Sequence, residues 1–133
     1  MPQAEVSTRQ VVKRVLFVED DRFLRRACEA SLSRWGLTVV CAQDGEEGLR
    51  LARTEPFDLI LLDILMPKLT GLEVLRALKA GERTRDIPVL VLSNSSSPQD
   101  IAEVTALGIM GYWVKANLSL RELGDRVAQL LGG

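Results

Sequence analysis

Short apolar runs that each end on a polar residue constrain the fold of this chain more than any other feature. The runs VLFV, LILL and VLVL occupy 15–18, 59–62 and 89–92, and a fourth occupies 112–114. Uninterrupted runs of this length are typical of strands that are buried on both faces of a parallel sheet. Such strands need crossover connections, so the sequence predicts an α/β domain.

The residues that follow these runs carry the chemistry. They are Glu19, Asp20, Asp21, Asp63, Ser93 and Lys115. In open parallel sheets, ligands bind just outside the carboxyl ends of the strands. We therefore expect carboxylates, a hydroxyl and an ammonium group to converge at one edge of the sheet.

Turn residues and helical periodicity complete the pattern of elements. A strand at 14–18 precedes a helix at 21–35 that is stopped by Gly36, and Asp44 precedes a second helix. Pro98 opens the fourth helix. Five strands alternating with five helices predict a doubly wound sheet. The residues expected on buried helix faces are Leu24, Cys28, Leu32 and Trp35 in the first helix and Leu120, Leu123, Val127 and Leu130 in the last.

Composition indicates one domain and excludes several classes of function. The chain has 133 residues, is 47% hydrophobic and carries a net charge of −1. With charges of both signs mixed, no basic face favours nucleic acid or an anionic membrane. There is no apolar run long enough to cross a bilayer and no signal peptide, so a cytoplasmic location is expected. We predict a flexible arm at 1–13, a domain at 14–131, and reduced thiols at Cys28 and Cys41.

The acidic residues predict a metal site. Glu19, Asp20 and Asp63 would repel one another unless their pKa values rise or a cation lies among them. Oxygen ligands without His or Cys suit a hard ion, and a partly open site suits Mg²⁺. We place the metal beside Asp20 and Asp63, with Glu19 reaching it directly or through water.

A carboxylate beside Mg²⁺, flanked by an ammonium and a hydroxyl, suits phosphoryl transfer. Such transfer needs in-line positioning and positive charge around the phosphoryl group. Asp63 would attack phosphorus, Lys115 would bind an equatorial oxygen, and Ser93 would donate a hydrogen bond to another. The expected product is an aspartyl phosphate.

Four motifs in this order resemble the receiver domain of two-component response regulators. They are VLFVEDD, DLILLDILMPKLTG, PVLVLS and GYWVK. The resemblance implies a flavodoxin-like sheet of order 2-1-3-4-5, Asp63 as phosphoacceptor, Glu19 and Asp20 as the acidic pair, and a backbone carbonyl of Leu65 on Mg²⁺. It also implies that Ser93 and Tyr112 act as a switch and that Lys115 binds phosphate.

The resemblance implies partners as well. The phosphoryl donor is expected to be a sensor histidine kinase or a phosphotransfer protein, and the output is expected to be contact with a downstream protein. The face of helix 4, strand 5 and helix 5 is a candidate homodimer surface. Ile109, Met110 and Trp113 lie in or beside it, either as an exposed patch or packed under helices.

Three positions depart from the family pattern. Ala116 stands where a proline usually follows the lysine, and a cis bond before a non-proline residue costs roughly 2.5–4 kcal/mol, so a trans peptide and a rearranged loop are predicted. Asn94 and Leu65 are unusual neighbours of the acceptor. Both side chains would hinder attack by water on phosphorylated Asp63, so slow loss of phosphate is predicted.

Other interpretations of the same residues remain open. Asp20 or Asp21 can cap the first helix, and Ser93 can serve a plain turn. The alternatives for the whole domain are a receiver-like scaffold that binds without phosphorylation, a haloacid-dehalogenase-type phosphohydrolase and a flavodoxin-like FMN binder. Leu65 occupies the position of the hydrolase's second Asp, and the acidic residues after the first strand would repel an FMN phosphate. The chain fits a single-domain regulator or a receiver excised from a longer protein.

Overall fold

In the computed structural model of the chain, five parallel strands form one sheet. The structure describes residues 13–66, 69–94 and 97–132. Residues 1–12 of the predicted arm, Pro67 of the motif after Asp63, and Ser95 and Ser96 of the loop after Ser93 lie outside the described residues.

The strands follow the apolar runs closely. They are β1 Arg14–Val18, β2 Thr38–Ala42, β3 Leu59–Asp63, β4 Val89–Ser93 and β5 Gly111–Val114. All pairings are parallel, and the order is β2-β1-β3-β4-β5. The predicted doubly wound α/β fold of order 2-1-3-4-5 is confirmed.

Helices cover both faces of the sheet. They are α1 Arg22–Ser33, α2 Gly45–Thr54, α3 Gly71–Ala80, α4 Pro98–Ala106 and α5 Leu120–Leu130. Helices α1 and α5 pack on one face, and α2, α3 and α4 pack on the other. Because the three central strands are enclosed on both sides, every residue of β3 and β4 is buried.

Side-chain caps define where the helices begin. Asp44 accepts a hydrogen bond from the backbone N–H of Glu47, as expected from the sequence. Of the two candidates for the first helix, Asp21 is the cap and accepts from the N–H of Leu24. Capping boxes start α3 at Thr70 and α5 at Ser119. These caps satisfy N–H groups that have no partner inside the helix, and they hold each helix at the edge of the sheet where the strands end.

Some predicted buried residues are exposed. Helix α1 ends at Ser33 rather than at 35, and Trp35 lies beyond it with 51% of its surface exposed. In α5, Leu123 and Val127 are buried, whereas Leu120 and Leu130 are each 40% exposed. Periodicity identifies the face of a helix but not how far its ends extend past the elements that it packs against.

The three apolar residues around β5 do not form one exposed patch. Ile109 packs against the layer of α2, α3 and α4, whereas Trp113 packs on the opposite face with α1 and α5. The Arg126 guanidinium lies 5.2 Å from the Trp113 ring centroid. Met110 is 48% exposed.

Both cysteines are free thiols, as predicted; Cys28 is buried and Cys41 is half-buried. Each of the described helices, α1 to α5, lacks the length and apolar character needed to cross a bilayer.

Candidate functional site

The polar residues that end the strands converge at one edge of the sheet. Asp63 is the last residue of β3 and Ser93 is the last residue of β4, while Glu19 and Lys115 directly follow β1 and β5. β1 and β3 are adjacent and central, so Glu19 and Asp63 are neighbours. The structure therefore brings Glu19 and Asp63 together at this edge, as expected.

A half-buried lysine joins two buried carboxylates. The Lys115 Nζ atom lies 2.5 Å from Oε1 of Glu19 and 3.2 Å from Oδ2 of Asp63. Side-chain exposure is 17% for Lys115, 1% for Glu19 and 4% for Asp63. Lys115 therefore reaches Asp63 even though Ala116 follows it.

Asp20 completes an acidic cluster. A carboxylate oxygen from each of Glu19, Asp20 and Asp63 lies within 4.8 Å of the others. Asp20 is exposed, whereas the other two are buried, so the cluster opens to solvent on the Asp20 side. Asp21 points elsewhere and caps α1, which settles which of the two neighbouring aspartates is the cap.

A backbone group just after β3 contacts the Asp63 side chain. The backbone N–H of Leu65 donates to Oδ1 of Asp63 at 3.1 Å. The N–H of Gly71 donates to the carbonyl of Ile64 at 3.0 Å, which joins the residue after Asp63 to the start of α3. The Leu65 side chain is 56% exposed, so it stands at the rim of the site.

Ser93 and Tyr112 occupy the neighbouring strands. Ser93 is fully buried at the end of β4 and is paired in register with Val114. Tyr112 is half-buried on β5 and packs against the layer of α2, α3 and α4. Asn94, directly after Ser93, is exposed.

Burial and mutual repulsion perturb the acidic groups. Burial, together with the charge of Asp63 and against the opposing effect of Lys115, raises the pKa of Glu19 from 4.5 to about 7. Burial also raises the pKa of Asp63, against the charge of Lys115 and the Leu65 N–H. For Lys115, burial acts to lower the pKa, but the hydrogen bond to Glu19 and the charge of Asp63 outweigh it, so its pKa is raised.

The loop after Lys115 begins with a short helical turn. No peptide bond within the described ranges is cis, so the predicted trans bond between Lys115 and Ala116 is confirmed. Residues Lys115–Asn117 form one turn of 3₁₀ helix, closed by a hydrogen bond from the N–H of Leu118 to the carbonyl of Lys115 at 3.2 Å.

Sequence reasoning missed two features of the site. Arg25 donates from its guanidinium to the backbone carbonyl of Glu19 at 2.8 Å. The only hint in the sequence was that Arg25 lies early in the helix that follows Glu19. The second feature is that Glu19, rather than Asp63, is the nearer partner of Lys115. No sequence pattern distinguishes these two carboxylates as partners.

Comparisons with known proteins agree on one family. The response regulator receiver domain family matches residues 15–128, a span inside the predicted bounds of 14–131. The response regulator MprA of Mycolicibacterium vanbaalenii is 40% identical over 119 residues, which cover 89% of this chain and 50% of that protein. The chain spans half the length, or less, of the first curated relatives that it matches.

Solved structures give the same result. The chemotaxis response regulator CheY4 of Vibrio cholerae matches with a TM-score of 0.82 and 30% identity, covering 90% of this chain and 99% of that one. The receiver domain of the sensor histidine kinase PA1611 from Pseudomonas aeruginosa, solved with magnesium coordinated in its active-site cleft, matches with a TM-score of 0.80 and 28% identity; the match covers 92% and 100% of the two chains. With its acidic cluster, its lysine and the fold that brings them together, this chain belongs to the response regulator receiver domain family.

Proposed function

We propose that this domain accepts a phosphoryl group on Asp63 in a Mg²⁺-dependent reaction and that phosphorylation changes its contacts with other proteins. The observation that carries the proposal is the contact of the Lys115 ammonium with Asp63, beside the carboxylates of Glu19 and Asp20. A buried aspartate beside an ammonium suits a nucleophile whose product carries more negative charge, and the neighbouring carboxylates would offset their own repulsion by holding Mg²⁺.

The chemical step transfers one phosphoryl group. An oxygen of Asp63 attacks phosphorus, an O–P bond forms, and the P–N bond of a phosphohistidine donor breaks to release the histidine. With the N–H of Leu65 on Oδ1 and the Lys115 ammonium on Oδ2, the carboxylate is oriented before the donor arrives. After transfer, Lys115 and the Ser93 hydroxyl bind phosphoryl oxygens.

The donor groups suit magnesium. Carboxylate oxygens within 4.8 Å of one another, one of them exposed, form the all-oxygen and partly open environment that this ion favours. Asp20 and Asp63 would hold it, with Glu19 bound directly or through water and the carbonyl of Leu65 as a further ligand. The ion would neutralise charge on the phosphoryl group during transfer. The magnesium reported in the PA1611 receiver domain supports the same assignment.

The switch is proposed at Ser93 and Tyr112. A phosphate adds about two negative charges, which draw Ser93 and Lys115 toward Asp63. Because Ser93 is fully buried beside β5, its movement changes the space available to the half-buried Tyr112. The face of α4, β5 and α5 would then contact a downstream protein or a second copy of the chain.

The proposed partners follow from this step. The donor is a sensor histidine kinase or phosphotransfer protein, the output is a protein contact, and the location is cytoplasmic. Neither nucleic acid nor a membrane is a proposed direct partner, because the charge is balanced at −1. The domain would not act as an enzyme on a separate substrate, since the only group that it modifies is its own Asp63.

Intact mass spectrometry tests the proposal. The wild type, Asp63→Ala and Asp58→Ala are incubated with acetyl phosphate and MgCl₂, and separately with EDTA. Asp58 is an exposed aspartate just before β3, so it controls for loss of a carboxylate. We expect one added phosphoryl group on the wild type and Asp58→Ala, only with Mg²⁺, and none on Asp63→Ala.

Two results would contradict the proposal. Absence of a mass increase in the wild type would favour the scaffold that binds without phosphorylation. A mass increase in Asp63→Ala would place the modification on another residue.

A further inference from the structure

Hydrogen bonds fix both the backbone and the side chain of Glu19. Its Oε1 accepts from the Lys115 ammonium at 2.5 Å, and its Oε2 accepts from the N–H of Asp21 at 3.2 Å. Its backbone N–H donates to Ala42 at 3.0 Å, and its carbonyl accepts from Arg25 at 2.8 Å. Both carboxylate oxygens therefore have donors, and the side chain is 1% exposed.

Lys115, in contrast, begins a lightly held loop. Lys115 and the two residues after it form one 3₁₀ turn closed by a hydrogen bond at 3.2 Å, and Ala116 and Asn117 are exposed. A lysine side chain has a flexible four-carbon stem and loses much rotamer freedom when it is fixed. The firmest contact that fixes its ammonium is therefore the rigid Glu19 carboxylate rather than its own loop.

We propose that Glu19 is the positioning residue of the site: it holds the Lys115 ammonium beside Asp63 and is not a direct ligand of the metal. The inference rests on the proposed phosphotransfer function and assigns a different task to each of the neighbouring acids. Asp20, exposed and within the cluster, binds the metal with Asp63. Glu19 acts through Lys115.

The length of the side chain supports this assignment. An aspartate at position 19 is one carbon–carbon bond shorter, which withdraws the carboxylate by about 1.5 Å. From the observed 2.5 Å, the contact with Lys115 would then lengthen to about 4 Å, which is beyond hydrogen-bond range. Glutamate is thus the acid that reaches Lys115 from the end of β1.

The consequence for the reaction is preorganisation. A cation that is already in place when the phosphoryl group arrives need not be ordered during the step. Without Glu19, Lys115 would sample other rotamers and contact Asp63 only part of the time. We expect the rate of phosphorylation at saturating Mg²⁺ to fall about tenfold or more, with magnesium affinity nearly unchanged.

The test compares Glu19→Asp and Glu19→Gln with Asp20→Asn. Magnesium binding is measured by calorimetry, and the rate of phosphorylation by acetyl phosphate is measured at saturating MgCl₂. The Lys115 ammonium is observed in metal-free protein by ¹⁵N NMR, where a hydrogen-bonded, buried ammonium gives a signal protected from solvent exchange. Near-ultraviolet circular dichroism confirms that each variant is folded.

For both Glu19 variants we expect a magnesium Kd within about threefold of wild type, a tenfold slower rate, and loss of the protected Lys115 signal. For Asp20→Asn we expect the Kd to rise at least tenfold while the Lys115 signal persists. The assignment is overturned if Glu19→Gln weakens magnesium binding as much as Asp20→Asn does, or if the Lys115 signal survives in both Glu19 variants. If the wild type accepts no phosphate, the proposed function fails, and the NMR and calorimetric measurements still decide whether Glu19 holds Lys115.

Discussion

Gly71 lies against the backbone of Asp63 so closely that a Cβ atom at position 71 would overlap the carbonyl oxygen of Asp63 and the Cα atom of Ile64. Neither contact is with a flexible side chain, so the loop that carries the acceptor would have to move. The glycine at the start of α3 is thus part of the geometry of the site, although it bears no functional group.

Gly71→Ala should therefore destabilise the domain by about 1–3 kcal/mol and slow phosphorylation of Asp63. Alanine normally favours a helix over glycine, so a loss of stability indicates the steric contact. Urea denaturation and acetyl phosphate kinetics measure the two effects. Gly111→Ala is the control, because its Cβ would meet mainly the tip of the Leu90 side chain at 3.1 Å. Equal stability of Gly71→Ala and wild type would disprove this account.

Replacing Lys115 by Met should destabilise the metal-free protein by roughly 3–5 kcal/mol at pH 8. The change keeps an apolar stem but leaves Glu19 and Asp63, both buried, without their ammonium partner. The cost should shrink at pH 5 as the carboxylates gain protons. Arg50→Met is a matched control, since exposed Arg50 pairs with half-buried Glu47 at 3.8 Å, a contact worth less than about 1 kcal/mol. Similar losses for the two variants would contradict the prediction.

Stability of the metal-free protein should fall as pH rises from 4.5 to 7. The pKa of Glu19 is raised from 4.5 to about 7 by burial, so the folded state binds more protons than the unfolded state in this window. The raised pKa of Asp63 acts in the same direction. Each such group contributes a slope of at most about 1.4 kcal/mol per pH unit. Urea denaturation in EDTA across this range should give a flatter profile for Glu19→Gln; an unchanged profile would exclude Glu19 as the titrating group.

Leu65→Asn should shorten the lifetime of phosphorylated Asp63, by roughly tenfold if the apolar side chain raises the barrier to water attack by about 1.4 kcal/mol. The Leu65 side chain stands at the rim, 56% exposed, and its N–H contacts the acceptor. Loss of the phosphoryl group is followed by intact mass after the donor is removed. Leu130→Asn, an exposed leucine in the last turn of α5, controls for surface polarity. An unchanged decay rate in Leu65→Asn would refute the steric explanation.

Both cysteines should resist alkylation in the folded protein at pH 8. Burial raises the pKa of Cys28 to about 12 and that of Cys41 to about 11, so almost no reactive thiolate is present. Iodoacetamide should modify neither thiol until urea is added. Rapid modification of native Cys28 would show that the interior opens on the time scale of the reaction.

Local sequence patterns predicted much of the fold. Each apolar run predicted a strand that ends at or directly before the polar residue following the run. The Asp44 cap was visible because a short acid preceded the helical period, whereas the cap of α1 was narrowed only to Asp20 or Asp21. Exposure at helix ends was not visible. Trp35 and Leu120 have the right period but extend past their neighbours, and depth is a property of packing rather than of spacing.

The sequence predicted which residues form the site, but not which carboxylate lies nearest to Lys115. Parallel topology alone brings Glu19, Asp63 and Lys115 to one edge. Which carboxylate the ammonium prefers depends on side-chain length and on donors such as the N–H of Asp21, which appear only in three dimensions. The departure at Ala116 was informative because a cis bond before a non-proline residue costs about 2.5–4 kcal/mol, which strongly favours the trans isomer.

Glu19 and Lys115, joined at 2.5 Å, are 96 positions apart along the chain. As the polypeptide emerges from the ribosome, its carboxylates are therefore synthesised well before the ammonium that neutralises them. A nascent chain that stops before β5 carries Glu19, Asp20 and Asp63 without Lys115, and their repulsion opposes docking of the first and third strands. Because Lys115 directly follows β5, its contact with Glu19 and Asp63 can form only after that strand has been translated.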